Sequence, residues 1–185
     1  TQSKRGSTYR KALLKLVRQG HVYPCYCSRK DIESAASAPH AGEDELIYPG
    51  TCRPADSCPI EVADWTDFER RLNPPRNGRQ PCWRYRTNAG RRVGFDDLRF
   101  GRREYVCGDS FGDFVVWRRD DTSSYQLACV VDDSDMNISE VVRGEDLLAS
   151  TARQILLGES LGSSQGKWCH CDLLRDETGE RLAKR

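Results

Sequence analysis

The first apolar positions of the chain recur at helical spacing. Tyr9, Leu13, Leu16 and Val17 are three and four residues apart, which places their side chains on one face of a helix. Polar residues occupy most of the positions between them. The pattern therefore predicts an amphipathic helix over residues 7–20.

Shorter elements follow this helix. A short extended run interrupted by Pro24 is predicted at residues 21–26, and short helices are predicted at residues 28–36 and 64–72. Residues 37–45 are small and show no periodicity, which is typical of a loop and indicates an insertion.

Alternating polar and apolar residues dominate the middle of the chain. Such alternation, with turn residues between the runs, predicts strands. The predicted strands cover residues 82–86, 92–96, 103–107 and 114–118. We expect a β-rich module here.

The last third of the chain returns to a mixed pattern. A helical or transitional segment at 125–131 and a buried strand at 138–142 precede a helix at 144–158. An extended run at 168–174 and a charged loop at 176–184 complete the chain. The order predicts an α/β fold: a helix, an inserted β-rich module and a returning α/β segment.

Composition narrows the class of protein. Hydrophobic residues make up 37% and charged residues 31% of the 185 residues, enough for a packed core. No apolar run approaches the roughly 20 residues that span a bilayer, and no signal peptide is recognisable. We expect a cytoplasmic protein without a membrane partner. The polar start lacks an initiator methionine, which favours a fragment.

The charge of the chain says little about whether the protein binds a polyanion such as RNA. The net charge is only +1, but basic residues are concentrated at 84–92, 99–103 and 181–185. Such local patches can bind phosphates even when net charge is near zero. Taken alone, they are better explained as solvated surfaces.

Nine cysteines in a chain without a signal peptide indicate free thiols or metal ligands. Cys25 and Cys27 lie on a predicted turn, and Tyr48 and Cys52 flank a Pro-Gly turn. Four such donors match the tetrahedral coordination of zinc, although a phenolate is an unusual ligand. The ion would be structural.

Alternatives remain open at this site. The cysteines can be buried thiols without a metal, or Cys58 can replace Tyr48 as the fourth ligand. Elsewhere, Cys107, Cys129 and the pair at 169 and 171 are interpreted as core thiols. His170 lies between that pair, and the pattern leaves its role undecided.

Two runs resemble a known family. Residues 23–29 and 48–53 read YPCYCSR and YPGTCR, and they are similar to the zinc-binding insertion of glutamyl-queuosine tRNA(Asp) synthetases. The resemblance implies a structural Zn²⁺ held by Cys25, Cys27, Tyr48 and Cys52.

Three further runs, at 112–120, 125–133 and 138–148, resemble the return into the nucleotide-binding fold of glutamyl-type synthetases. The resemblance implies that Tyr125 contacts the substrate glutamate and that Arg143 pairs with its side-chain carboxylate. A guanidinium suits this role because it can donate two parallel hydrogen bonds to a carboxylate.

From the residues alone, Arg143 could instead form a structural salt bridge with Glu140, Glu145 or Asp146.

The end of the chain, at 179–185, resembles the lysine loop of class I synthetases, with Ala183 where the general pattern has serine. The resemblance implies that Lys184 binds ATP and acts in catalysis. Its ammonium would stabilise the pentavalent phosphate formed when glutamate attacks ATP.

The resemblance implies a carboxyl-terminal part of a Rossmann-like class I catalytic core that carries a zinc-containing insertion. Residues 1–22 would end the first Rossmann half, 23–124 would form the insertion, and 125–185 would form the second half. The His-x-Gly-His type signature does not occur in the sequence. We therefore expect the chain alone to be incomplete for catalysis.

The implied reaction is ATP-dependent activation of glutamate and its transfer to queuosine in the anticodon of tRNA(Asp). It implies ATP as cosubstrate, Mg²⁺ as cofactor and tRNA(Asp) as partner of a monomer. The first alternative is a discriminating glutamyl-tRNA synthetase. The second is a non-catalytic, zinc-stabilised RNA-binding module that uses arginines in the 84–92 patch.

Overall fold

A computed structural model of the chain describes residues 1–35, 47–163, 166–177 and 182. The predicted loop at 37–45 lies outside the described residues. So do Lys184 and the ending at 179–185, apart from Leu182.

The described residues form five α-helices and seven strands. The helices are α1 (Gly6–Arg18), α2 (Arg29–Ala35), α3 (Trp65–Leu72), α4 (Tyr125–Asp135) and α5 (Leu148–Leu161). The strands are β1 (Val22–Cys25), β2 (Cys82–Tyr85), β3 (Arg92–Asp97), β4 (Gly101–Val106), β5 (Phe114–Trp117), β6 (Glu140–Gly144) and β7 (Lys167–Cys171). A 3₁₀ turn, Glu145–Leu147, connects β6 to α5.

Local capping explains where the helices begin. Ser28 Oγ accepts a hydrogen bond from the Asp31 N–H at 3.1 Å before α2. Asp64 accepts one from the Asp67 N–H at 2.9 Å at the start of α3. These short polar side chains satisfy amides that lack a helical partner. The predictions for these two helices are confirmed to within one residue in the described part.

The strands form two sheets. The first is antiparallel, in the order β1-β2-β5, and the second is mixed, in the order β4-β3-β7-β6. In the first sheet β1 is an edge strand, which tolerates Pro24 because proline has no N–H to donate. The second sheet takes strands from both predicted segments 23–124 and 125–185. That division of the chain stays a prediction.

The prediction of a buried strand at 138–142 is wrong in position and burial. Strand β6 covers Glu140–Gly144, and Val142 is 68% exposed. The reason is its place at the edge of the sheet, where β7 is its only strand neighbour among the described residues. A run of apolar residues does not reveal whether a strand is central or at an edge.

Helix α5 lies at the centre of the main core. Ala152, Leu156 and Leu157 are at most 1% exposed and pack with α1 and α4. The helix also reaches the first sheet, because the Tyr85 hydroxyl lies 2.7 Å from Ser160 Oγ. Among the described residues, no helix combines the length and apolar character needed to cross a bilayer.

Replacing Leu156 by alanine should destabilise the protein. The side chain is 1% exposed, and removing a buried leucine side chain costs about 2–5 kcal/mol because a cavity remains. The matched control is Leu98→Ala, where the side chain is 65% exposed and a change within about 0.5 kcal/mol is expected. Urea unfolding of the full-length protein, followed by tryptophan fluorescence, measures both. Equal losses in the two variants would contradict the central position of α5.

Candidate active site and metal centre

Three cysteine sulfurs meet at the end of β1. Cys25 is the last residue of β1, Cys27 follows it, and Cys52 comes from a loop distant in sequence. The three Sγ atoms lie within 4.8 Å of one another. The spacing is compatible with one shared ion, since tetrahedral zinc with bonds of about 2.3 Å holds sulfurs about 3.8 Å apart.

Tyr48 lies at the same cluster. Its hydroxyl is 3.4 Å from Cys25 Sγ and 3.7 Å from Cys27 Sγ, and it accepts a hydrogen bond from the Cys52 N–H at 2.7 Å. A turn centred on Gly50, which has φ of 85°, brings Tyr48 and Cys52 together. The four predicted ligands are thus adjacent in the structure.

Cys58 is exposed and lies away from this cluster. Its backbone packs against Gly20 at the end of α1, so closely that a Cβ atom on Gly20 would lie 2.9 Å from the Cys58 carbonyl carbon. The thiol itself contacts the carbonyl of Pro59. Of the two alternatives for a fourth ligand, Tyr48 is the one that the fold brings to the three sulfurs.

Two arginines lie beside the cysteine cluster. The Arg84 guanidinium lies 3.9 Å from the centre of the Tyr48 ring, and Arg119 donates a hydrogen bond to the Cys27 carbonyl at 2.5 Å. A thiolate cluster with a divalent ion would be negatively charged, so these arginines complement it.

The protonation of the cluster follows its contacts. A hydrogen bond with Cys82 lowers the pKa of Cys25, whereas burial raises the pKa of Cys27. Burial also raises the pKa of Tyr48. The lowered pKa of Cys25 favours the thiolate, which is the form that binds a metal.

No pattern in the sequence pointed to Cys82. It lies opposite Cys25 in the antiparallel pairing of β1 and β2, and its thiol donates to the Cys25 carbonyl at 3.4 Å. The alternation of polar and apolar residues predicted strand β2 but could not show that β2 pairs with β1, which brings Cys82 to Cys25. Among the thiols interpreted as core residues, Cys107 is buried, Cys129 and Cys169 are half-buried, and Cys171 is exposed.

Arg143 extends from β6 towards α5. Its Nε donates to His170 Nε2 at 3.2 Å, one terminal nitrogen donates to Gln154 Oε1 at 2.9 Å, and the other donates to Thr151 Oγ1 at 2.5 Å. Gln154 and Thr151 are uncharged acceptors, and His170 accepts through the Nε2 lone pair. They orient the guanidinium without neutralising its charge.

Tyr125 and Arg143 lie close enough for the guanidinium to act on the phenol. Tyr125 is the first residue of α4 and is 50% exposed. Burial and the neighbouring Cys129 raise the pKa of its phenol, while the positive charge of Arg143 opposes that rise. Burial similarly raises the pKa of Asp133, against the effect of Arg143. The two predicted substrate-binding residues are thus neighbours.

The residues behind Arg143 were not predicted from the sequence. His170 is fully buried and its Nδ1 lies 2.6 Å from Asp97 Oδ2. Thr151 and Gln154, on α5, are also buried. The alternation of β7 could have placed His170 on the buried face with Trp168, but nothing in the sequence pairs it with Asp97.

Lys184 lies outside the described residues. Its role in binding ATP therefore stays a prediction. Nearby, the Leu182 N–H donates to the Leu174 carbonyl at 2.9 Å. This bond brings the chain back to the segment that follows β7, which is the strand carrying His170.

A cavity of about 290 Å³ lies beside the cysteine cluster. Its lining includes Tyr48, Arg84, Asp113, Gln126 and Arg153. Tyr48 belongs to the cluster, and the amide of Gln126 accepts a hydrogen bond from Gln154 at 3.0 Å. The cavity therefore borders the cysteine cluster and extends to Gln126, whose bonding partner Gln154 accepts from Arg143.

Comparison with known proteins identifies a family. The model described as tRNA synthetases class I (E and Q), catalytic domain, matches residues 1–185. The chain is 43% identical over 184 residues to the glutamyl-Q tRNA(Asp) synthetase of Nitratidesulfovibrio vulgaris, covering 100% of this chain and 53% of that protein. It is 39% identical over 183 residues to the same-named protein of Chromobacterium violaceum, covering 99% and 54%.

A solved structure gives the same fold. A glutamate tRNA ligase from Elizabethkingia meningosepticum superposes with a TM-score of 0.71 at 19% identity, covering 98% of this chain and 36% of that one. The chain spans about half the length of the curated relatives it matches. It belongs to the family of class I tRNA synthetases for glutamate and glutamine, as part of a catalytic domain with a Rossmann-like α/β fold.

Proposed function

We propose that the protein containing this chain activates glutamate with ATP and transfers it to queuosine in the anticodon of tRNA(Asp). The observation that carries the proposal is the Arg143 guanidinium, oriented by uncharged side chains beside Tyr125. The relatives named as glutamyl-Q tRNA(Asp) synthetases, 39% and 43% identical, support the choice of substrates.

Arg143 would select glutamate by charge and geometry. A guanidinium donates two parallel hydrogen bonds to a carboxylate. The side-chain amide of glutamine presents N–H groups to these donors and leaves one of them unpaired, which is costly in a partly buried site. The Tyr125 phenol would contact the same substrate from the start of α4.

The first reaction step would join the α-carboxylate of glutamate to the α-phosphate of ATP and release pyrophosphate. Lys184 would donate to the phosphate as its negative charge develops. In the second step a hydroxyl of the cyclopentene-diol of queuosine would attack the adenylate carbonyl and release AMP. Mg²⁺ would accompany ATP and neutralise part of the phosphate charge.

We further propose that Cys25, Cys27, Tyr48 and Cys52 hold a structural Zn²⁺. The sulfur spacing, the Tyr48 hydroxyl and the lowered pKa of Cys25 fit this donor set. Around these residues the apolar packing is thin: the buried hydrophobic cluster comprises Tyr23, Cys25, Tyr48 and Cys82. A metal would therefore supply stability that this small cluster lacks.

Arg143→Ala in the full-length protein should lower kcat/KM for glutamate by about 30-fold or more. Truncating one partner of a partly buried, hydrogen-bonded charge pair costs at least about 2 kcal/mol. Glutamate-dependent ATP–pyrophosphate exchange measures the effect. The matched control is Arg92→Ala, because Arg92 is an exposed arginine on β3 and its loss should change the rate less than twofold. Undiminished exchange in Arg143→Ala would remove Arg143 from the glutamate site.

The same exchange assay, run on the unmutated full-length protein with and without tRNA, separates the candidate functions. Exchange without tRNA is expected for the queuosine-directed enzyme. Exchange only in the presence of tRNA would instead favour a discriminating glutamyl-tRNA synthetase. No exchange under either condition would leave a zinc-stabilised RNA-binding module as the better account.

Cys52→Ser should lose most of the bound zinc, and Tyr48→Phe should lower zinc affinity at least about tenfold, since each removes a ligand. Metal analysis of the purified protein and competition with a chelator measure the two effects. Cys58→Ser is the control and should retain zinc, because this exposed thiol lies outside the cluster. Zinc loss in Cys58→Ser with retention in Tyr48→Phe would reverse the assignment of the fourth ligand.

A further inference from the structure

A buried acid–imidazole pair lies in the four-stranded sheet behind Arg143. Asp97 ends β3 and is 4% exposed, and His170 in β7 is fully buried. His170 Nδ1 lies 2.6 Å from Asp97 Oδ2. The two residues are 73 positions apart and meet because β3 and β7 are parallel neighbours.

Asp97 is held as a carboxylate by several donors. Its Oδ1 accepts from the N–H groups of Arg99 at 3.0 Å and Phe100 at 2.9 Å. Its Oδ2 accepts from the His170 N–H at 3.1 Å. Burial by itself would raise the pKa of Asp97, but hydrogen bonds from the His170 ring and these amides outweigh it and lower that pKa.

The contacts define which nitrogen of His170 carries the proton. Arginine Nε–H can only donate, so His170 Nε2, 3.2 Å from Arg143 Nε, must present its lone pair. The proton of the neutral ring is then on Nδ1 and points to Asp97. Asp97 thereby selects the tautomer that accepts from Arg143.

Among the residues that the structure describes, the Asp97 carboxylate lies close to Arg143 without forming a direct ion pair with it. The imidazole lies between the Asp97 carboxylate and the Arg143 guanidinium. A carboxylate in direct contact would compete with an anionic substrate, whereas a neutral ring does not. The guanidinium is fixed in direction and keeps its charge for a ligand.

A chain of hydrogen-bonded polar side chains holds one terminal nitrogen of the Arg143 guanidinium. Gln154 accepts from Arg143 at 2.9 Å and donates to Gln126 Oε1 at 3.0 Å. Gln126 in turn donates to Ser150 Oγ at 3.0 Å. The orientation of each amide is determined by its neighbour, so α4 and α5 hold the network together.

We propose that Asp97 and His170 are positioning residues that set the angle at which Arg143 receives the side-chain carboxylate of the amino-acid substrate. The proposal rests on the proposed function, in which Arg143 binds glutamate. Neither residue contacts the substrate, and both act through the Arg143 guanidinium. Their loss should therefore weaken glutamate binding selectively, without a matching loss for ATP.

Asp97→Asn and His170→Phe test this in the full-length protein. In Asp97→Asn the amide oxygen can stay with the N–H groups of Arg99 and Phe100, which turns the amide nitrogen towards His170 and favours the wrong tautomer. In His170→Phe the ring remains but the acceptor is lost. KM for glutamate should rise about tenfold or more in each variant, since a hydrogen bond to a charged group is lost. KM for ATP should change less than about twofold.

His170→Gln is the rescue variant. A glutamine side chain can place its carbonyl oxygen where Nε2 accepts from Arg143, so KM for glutamate should return most of the way to the unmutated value. If His170→Phe fails to fold, His170→Gln still tests whether an acceptor at this position sets the KM for glutamate. A purely structural role would raise both KM values together, or lower the amount of folded protein without changing either.

Two kinds of failure remain distinct. If the unmutated protein shows no glutamate-dependent exchange, the proposed function fails. If it shows exchange but Asp97→Asn and His170→Phe leave KM for glutamate unchanged, or raise KM for both substrates equally, the positioning role is overturned. Unfolding midpoints of all variants within a few degrees of one another exclude global destabilisation as the cause of a selective effect.

Discussion

The burial of helix α5, which contacts both sheets, is the constraint on which the described structure depends. Its apolar residues Leu156 and Leu157 pack with α1 and α4 in the main core. Its polar residues Thr151 and Gln154 are buried as well and face the Arg143 side chain. Because packed interiors resist small displacements, the position of α5 in the core also determines the position of the groups that hold Arg143.

Buried polar groups are costly unless they are paired, and here they satisfy one another in sequence. Asp97 is bonded to His170, His170 to Arg143, and Arg143 to Thr151 and Gln154. Within such a network each hydrogen bond strengthens its neighbours, and an unpaired member is costly. The same property suits it to substrate recognition, since binding to a side chain that is already oriented requires little further loss of entropy.

The cysteine cluster is connected to the rest of the fold by Asp113. This buried carboxylate accepts hydrogen bonds from Tyr23 on β1, from Arg53 beside Cys52, and from Thr87 after β2. Asp113 also lines the cavity that reaches Gln126. One cavity wall thus carries Tyr48 of the proposed zinc site, Asp113, and the Gln126 side chain that accepts from Gln154.

The sequence alone determined the elements whose evidence is local. Helical spacing predicted α1, alternation predicted β2 and β5, and the runs around Cys25 and Tyr48 predicted a cluster that the structure assembles. Periodicity is enough to predict the helix and the strands, because the spacing of apolar residues along the chain shows which face of an element is buried. The family resemblance, also read from local runs, pointed to Tyr125 and Arg143.

Only the tertiary structure decided which distant residues meet. It placed Val142 on an exposed edge, paired Cys82 with Cys25, and joined Asp97 to His170 across 73 positions. Strand order and parallel pairing arise from packing over the whole core, and no local pattern specifies them. For that reason the sequence could suggest Arg143 as a ligand for glutamate, but not the buried pair that orients it.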